Sequence, residues 1–361
     1  MFKGLLLDSN QSVSHSHLQG DFPAFYSAGV LVKEGESLAS LYDPTRQAAI
    51  QTEYFGFDQF YLEFAYPPYV AQFFSLLAEM GPFVAKFFYL LIQVVLLVFA
   101  MRLVSLRTGL GFWILLAAAL SFLPLFSSIA GGQNSLFAFL LVLFMSEELS
   151  KRDESKLGEA LLPGLCLGFL CYKPQLAFIA ATIFFLSGIF RPLFVASFVW
   201  LGCFSLSAVS YGLSWPLDWL RAVGEFGNKD SQANLSQQIS LYILPDFFSL
   251  ELSISLVCLT MLLGLLIRFG LKGRAVSREL LGPLLVLFSP HLLYYEASML
   301  LPSLFAYLRN ARLPQASFLA CWLLVALAVF YKSYWSVQPL CLLALFLLFV
   351  HLFRPESDRR L

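Results

Sequence analysis

The chain has 361 residues, of which 59% are hydrophobic and 13% charged, and its 23 basic and 23 acidic residues give a formal net charge of zero. That much apolar side chain exceeds what one soluble core of this length needs, which excludes an ordinary water-soluble domain and makes this a membrane protein. A balanced charge exerts no pull on nucleic acid, and no nucleic-acid partner is expected.

In chain order, residues 1–81 are expected to form an extracytoplasmic segment with juxtamembrane helices. Its helical pieces are "DFPAFYSAGVLVKEG" (21–35) and "TRQAAIQTEYFG" (45–56). The next stretch, "FAYPPYVAQFFSLLAEMGP" (64–82), has about fifteen apolar-rich residues after a Pro-Pro pair, which suits an interfacial or re-entrant helix better than a crossing. From residue 82 to 361 a transmembrane bundle is expected. Runs such as "FFYLLIQVVLLVFA" (87–100) and "LLALFLLFVHLF" (342–353) have the apolarity of bilayer-crossing helices, which need roughly 20 residues at 1.5 Å each.

The hydropathy pattern predicts eleven spans, near 82–101, 110–130, 134–149, 159–172, 174–189, 192–212, 249–269, 279–290, 292–308, 315–331 and 336–353. Lys and Arg in short connections stay on the cytoplasmic side. With residues 1–81 outside, 15 of the 23 basic residues lie inside and 15 of the 23 acidic ones lie outside or near the outer face. The C-terminus is then cytoplasmic. Residues 213–248 form an outer loop whose Trp215 and Trp219 suit an aromatic belt at the membrane surface.

Lys173 is the anomaly of this pattern. It lies with Pro174 inside "LGFLCYKPQLAFIA" (167–180), between spans too short to cross comfortably. An ammonium at the centre of a membrane helix costs roughly 2.5–3.5 kcal/mol, so it faces water, a partner or a ligand unless it snorkels to the interface. Pro174 supports a helix break there. Lys173 is therefore expected below the outer surface, in a protein-lined hollow open to the outside.

The six cysteines all fall within predicted spans, so no disulfide framework is implied. No CxxC or paired-histidine helix face occurs, "HSH" (15–17) suits a polar tail, and no structural metal is expected. There is no internal repeat.

Several polar motifs map to the outer side of the bundle: "DFPAFYSAG" (21–29), "LYDP" (41–44), "YPP" (66–68), "GGQNS" (131–135), "KPQ" (173–175) and "SPHLLYYE" (289–296). Asp21 is a carboxylate able to act as a general base once a hydroxyl is brought to it, although an aspartate alone is usually just solvated. "GGQNS" opens a short helix toward the outside, so its backbone N–H groups favour an anion there, unless Asn134 or Ser135 simply caps the helix. His291, Tyr294, Tyr295 and Glu296 lie in a broken segment at similar depth, where ionisable groups need a partner or a cavity.

This ordered set resembles the membrane glycosyltransferases of the GT-C superfamily, and most closely glycosyltransferase family 87, also described as the DUF2029 group of polyprenol-phosphate-mannose-dependent mannosyltransferases. The resemblance runs from about residue 21 to 350. It implies a hexosyltransferase that moves a sugar, mannose in that group, with inversion from a polyprenyl-phosphate donor to a glycan or glycolipid acceptor hydroxyl. The reaction would lie on the outer side of the plasma (inner) membrane of the cell.

In that scheme Asp21 matches the acidic residue of the first outer loop and is the base. Lys173, Gln133 and the helix end at Asn134 hold the donor phosphate, with His291 as a second contact. Tyr66, Tyr294 and Glu296 orient the sugar or the acceptor. A single donor phosphate requires no metal, and no cofactor is expected.

The resemblance also implies a membrane helix just before the acidic loop. Residues 1–20 offer only a few apolar residues, so that first helix is expected to be missing from this chain. Glu296 stands where the family pattern leads one to expect aspartate. A transporter or lipid flippase would share the buried charges, and a structural subunit would need none of them. Asp21 and Lys173 facing one outward hollow is the spatial expectation on which the enzyme reading depends.

Overall fold

The computed structural model describes residues 20–57, 61–149, 157–229, 281–289 and 292–309. Every regular element among the described residues is helical, as expected of an all-α polytopic membrane protein. The α-helices are α1 (Phe22–Lys33), α2 (Leu38–Leu41), α3 (Pro44–Phe55), α4 (Pro68–Ala78), α5 (Pro82–Thr108), α6 (Phe112–Ser121), α7 (Leu123–Ala130), α8 (Ser135–Leu149), α9 (Leu157–Phe169), α10 (Pro174–Leu186), α11 (Phe190–Tyr211), α12 (Trp215–Lys229), α13 (Leu281–Phe288) and α14 (Leu301–Arg309). Two 3-10 helices, Leu170–Tyr172 and Tyr294–Leu300, precede α10 and α14.

Prolines decide where many of these helices begin. Pro44, Pro68, Pro82 and Pro174 each stand first in their helix, where the missing N–H has no intrahelical partner to lose and the fixed φ already suits a helix. Three of the short motifs are therefore helix starts. In "LYDP", Asp43 caps α3 by accepting from the Thr45 N–H at 2.7 Å. "YPP" starts α4 and "KPQ" starts α10.

Two described helices, α5 and α11, are long and apolar enough to cross a membrane. Large apolar side chains face outward along both, including Phe83, Phe87 and Phe88 on α5 and Phe194, Phe198 and Leu206 on α11. An exposed apolar surface of that extent belongs against lipid rather than water. The protein is an integral membrane protein.

Within the span expected at 110–130, α6 and α7 meet at a bend of 76°. Phe122 is extended at the junction (ψ 100°), which leaves Pro124 in the first turn of a new helix instead of clashing inside the old one. The helices at 135–149, 157–169 and 174–186 are short, as expected. The expected spans at 249–269, 315–331 and 336–353 lie outside the described residues.

The chain forms two compact units. The first comprises Met1–Val95, Ser127–Asn134 and Leu201–Ser231, and the second Leu96–Phe126, Ser135–Trp200 and Gln232–Leu361.

In the first unit α1 is the core. Every residue from Phe22 to Leu31 is buried. Phe25 stacks on Phe74 of α4 with ring centroids 4.8 Å apart, and Phe22 and Phe74 both meet Tyr89 of α5. Gly29 permits the close approach of α1 to α4, because a Cβ there would lie 2.6 Å from the Phe74 carbonyl. Gln47 and Gln51, one turn apart on α3 and fully buried, hold the extended segment before α4. Gln47 accepts from Phe64 N–H and donates to the Leu41 carbonyl, while Gln51 accepts from Leu62 N–H and donates to the Leu62 carbonyl. Two side-chain amides thus do for this segment what a neighbouring strand does in a sheet. Amphipathic α12 docks through Trp215, whose indole donates to the Phe204 carbonyl, and through Trp219, which donates to the Ala65 carbonyl.

In the second unit Gly164 and Gly168, four residues apart on α9, face Val195 and Val199 of α11. A Cβ on either glycine would lie 2.5 Å from a valine Cβ, the small-xxx-small spacing that lets membrane helices approach closely. Gly282 of α13 likewise admits the Met299 carbonyl of the second 3-10 helix.

Candidate active site

The structure brings the sequence-predicted site residues together as two sets, one in each unit. His291 lies outside the described residues.

The first set is Asp21, Tyr66, Gln133 and Asn134. Asp21 is the N-cap residue of α1, yet its side chain makes no capping bond to that helix. Its backbone N–H donates to the Gly131 carbonyl at 2.9 Å. The adjacent Gly20 (φ +56°) has no room for a Cβ against Gly131, and Gly132 (φ +65°) sits against the Phe22 Cβ. The glycines of "GGQN" are thus the seat on which the start of α1 rests, which fixes Asp21 beside that turn.

Two residues further on, the Asn134 Oδ1 accepts from the Tyr66 hydroxyl at 3.3 Å, and the Tyr42 hydroxyl donates to the Tyr66 carbonyl at 2.7 Å. Tyr66 keeps part of its surface exposed. Burial, and after it the nearby Asp21 carboxylate, push its phenol well above the ordinary value of 10.0. The phenol therefore stays protonated and donates. Gln133 is buried, and its Oε1 has no hydrogen-bond partner among the described residues.

The second set is Lys173, Tyr294 and Glu296. Leu170–Tyr172 closes a 3-10 turn, Lys173 takes a non-helical conformation (φ −121°, ψ 82°), and Pro174 restarts the helix. The expected break at this lysine is present. Its ammonium is paired with the Glu296 Oε1, which also accepts from the Ser135 hydroxyl at 2.7 Å. Lys173 and Glu296 are only 5% and 3% exposed. The Tyr172 and Tyr295 rings flank the ammonium at 5.6 and 6.0 Å from their centroids, within cation–π reach. Glu296 Oε2 is buried and has no hydrogen-bond partner among the described residues. Tyr294 is partly exposed and packs edge-on to Tyr295.

Glu296, Tyr294 and Tyr295 lie on the seven-residue 3-10 helix Tyr294–Leu300. Runs of that length are uncommon, because i→i+3 hydrogen bonds are poorly aligned, and they often mark functional segments. The span expected at 292–308 is thus a tighter helix in its first half and continues as α14.

Three neighbours of these residues were not singled out as site residues from the sequence. Ser135 reads from the sequence only as a cap, whereas its hydroxyl holds Glu296. Tyr89 on α5 packs against Phe22, the residue after Asp21, with Gln93 one turn on. The signal for Tyr89 and Gln93 was available: they are the polar side chains at i and i+4 in the otherwise apolar run 87–100.

The model of glycosyltransferase family 87 matches residues 64–290, more than half of the 361-residue chain. The chain belongs to glycosyltransferase family 87. Family 87 membership makes the protein a transferase with a sugar donor and an acceptor. Tyr66, Gln133, Asn134 and Lys173 lie inside the matched range, and Asp21, His291, Tyr294 and Glu296 lie outside it. No curated protein and no solved structure gives a significant match to the chain.

Proposed function

We propose that this family 87 glycosyltransferase is a GT-C-type hexosyltransferase that moves mannose from a polyprenyl-phosphate donor to a glycan or glycolipid hydroxyl. The reaction takes place on the outer side of the plasma membrane, with the C-terminus cytoplasmic. The observation that carries the reading is the placement of Asp21: its backbone is seated on Gly131 of the "GGQN" turn, and its carboxylate lies close to the Tyr66 phenol that bonds Asn134.

Asp21 takes the proton of the acceptor hydroxyl as its oxygen attacks the anomeric carbon. The bond from that carbon to the phosphate oxygen breaks with inversion, and polyprenyl phosphate leaves carrying one more negative charge than the diester had. For that phosphate the first unit offers Gln133 and the helix end at Asn134, and the second unit offers Lys173 and His291. An ammonium has three N–H donors. Paired with Glu296, Lys173 serves the phosphate as a directed donor within a neutral pair. Tyr66 and Tyr294 contact the sugar or the acceptor, as does Glu296. Polar donors aimed at developing charge in a water-poor site provide most of the acceleration in many such reactions.

The polarised distribution of basic residues supports the outer placement. A transporter would share the buried Lys173–Glu296 pair, but family membership favours transfer chemistry. The test is reconstitution in vesicles with polyprenyl-phosphate mannose and a glycolipid acceptor supplied to one face at a time. Mannolipid product of inverted anomeric configuration, formed only with substrates on the outer face, is expected. Uptake or lipid scrambling without any glycosidic product would replace the transferase reading by the transporter one.

A further inference from the structure

The chemistry of the second unit goes further than holding a phosphate. Glu296 uses one oxygen twice, accepting from Lys173 and from the Ser135 hydroxyl at Oε1, while Oε2 is buried without a hydrogen-bond partner among the described residues. A carboxylate has about four lone-pair sites, and leaving a buried ionised oxygen without a donor is unfavourable. The pair as a whole is neutral and does not attract a second anion to the carboxylate side. Opening the pair would strand a buried charge. The ligand group that adds to Oε2 without breaking anything is a neutral O–H donor.

Geometry limits which hydroxyl this is. Oε2 belongs to the carboxylate whose other oxygen touches the Lys173 ammonium, so a group bound at Oε2 lies next to whatever Lys173 contacts. In a hexosyl phosphate the ring hydroxyl nearest the phosphate is the one on carbon 2, adjacent to the anomeric carbon. We propose that Glu296 Oε2 accepts a hydrogen bond from the 2-hydroxyl of the donor sugar, making Glu296 the residue that determines specificity at carbon 2. Lys173 and Ser135 hold Oε1 and so act on the sugar as positioning residues. This rests on the transferase reading and on the phosphate contact assigned to Lys173.

The experiment uses the full chain in vesicles with three donors: polyprenyl-phosphate mannose, its 2-deoxy analogue and its 4-deoxy analogue. In the unsubstituted protein kcat/KM for the 2-deoxy donor is expected to fall roughly 10- to 100-fold below that for mannose, the worth of a hydrogen bond to a charged group. In Glu296→Gln that difference shrinks to about 3-fold or less, as a neutral acceptor remains. The ratio for the 4-deoxy donor stays the same in both proteins. Ser135→Ala leaves the ion pair in place and keeps the protein testable if Glu296→Gln does not fold. It is expected to reduce discrimination at carbon 2 while leaving the 4-deoxy ratio alone. Equal discrimination against the 2-deoxy donor in the parent and in every folded variant would overturn the inference and leave the transferase reading standing. No transfer by the parent from any donor overturns both.

Discussion

Lys173 and Glu296 form an ion pair with almost no solvent contact, across 123 positions of sequence. This is why so apolar a chain carries an ammonium inside its bundle. The charge is matched by a carboxylate, and the partner's position is fixed by a serine from the start of α8. Such a pair costs desolvation that its attraction only partly returns, which makes it weak evidence for stability and better evidence for a task.

Breaking the pair on one side should therefore be worse than removing it. Lys173→Met is expected to destabilise the protein by about 3–5 kcal/mol, because Glu296 is left charged and buried, whereas Lys173→Met combined with Glu296→Leu should recover most of that loss. Thermal unfolding in detergent measures both. Neither protein is expected to transfer sugar, so recovered stability without recovered activity would separate folding from function.

Asp21→Ala should lower transfer roughly 10²–10⁴-fold, the usual contribution of a positioned base, with protein abundance unchanged. The backbone contact to Gly131 that seats α1 survives the substitution. Near-parent kcat in this variant would remove Asp21 from the chemistry.

Gly29→Leu tests the core of the first unit. Its Cβ would enter the Phe74 backbone, which cannot move like a side-chain tip, so the cost is about 1–3 kcal/mol or more. Limited proteolysis of the first 80 or so residues, on the order of one small domain, should become faster than in the parent.

Gln51→Leu removes the donor and acceptor that hold Leu62. An expected loss of about 1–3 kcal/mol reflects buried backbone groups left unpaired. Hydrogen exchange at the Leu62 amide should speed up while amides in α8 are unaffected.

High pH should open the first unit cooperatively. Burial pushes the Tyr26 phenol from its ordinary 10.0 up to about 12, and Tyr42 and Tyr66 are raised as well, chiefly by burial. A raised phenol binds its proton more tightly when folded, so its stabilising effect is complete below pH 10.0 and is lost as pH climbs toward 12. Tyrosinate absorbance and helical circular dichroism should then change together. Ionisation of these phenols with the helices intact would show that they are open to solvent.

Much of the helix plan was legible because it depends on local chemistry. Pro44, Pro68 and Pro174 announce helix starts wherever they stand, and the apolar lengths of α5 and α11 need only the bilayer thickness to be read as spans. The bend at Phe122 was not legible: Pro124 permits a continuous kinked helix or a re-entrant one, and packing chooses. The burial of α1 was hidden for a similar reason, since "DFPAFYSAGVLV" has apolar residues all round and no partner visible in the chain.

For the site, residue types and their order marked Asp21, "GGQN", Lys173 and Glu296 as chemistry-bearing, because charges and glycines in an apolar chain are costly enough to signal use. What each of them touches was decided by folding alone. That Gly131 seats the start of α1, that Tyr66 reaches Asn134, and that Lys173 meets Glu296 are contacts between residues 68 or more positions apart. Local spacing carries no information on such encounters. Helix packing does, because it brings distant turns of each unit together and gives the buried Lys173 its counterpart in Glu296.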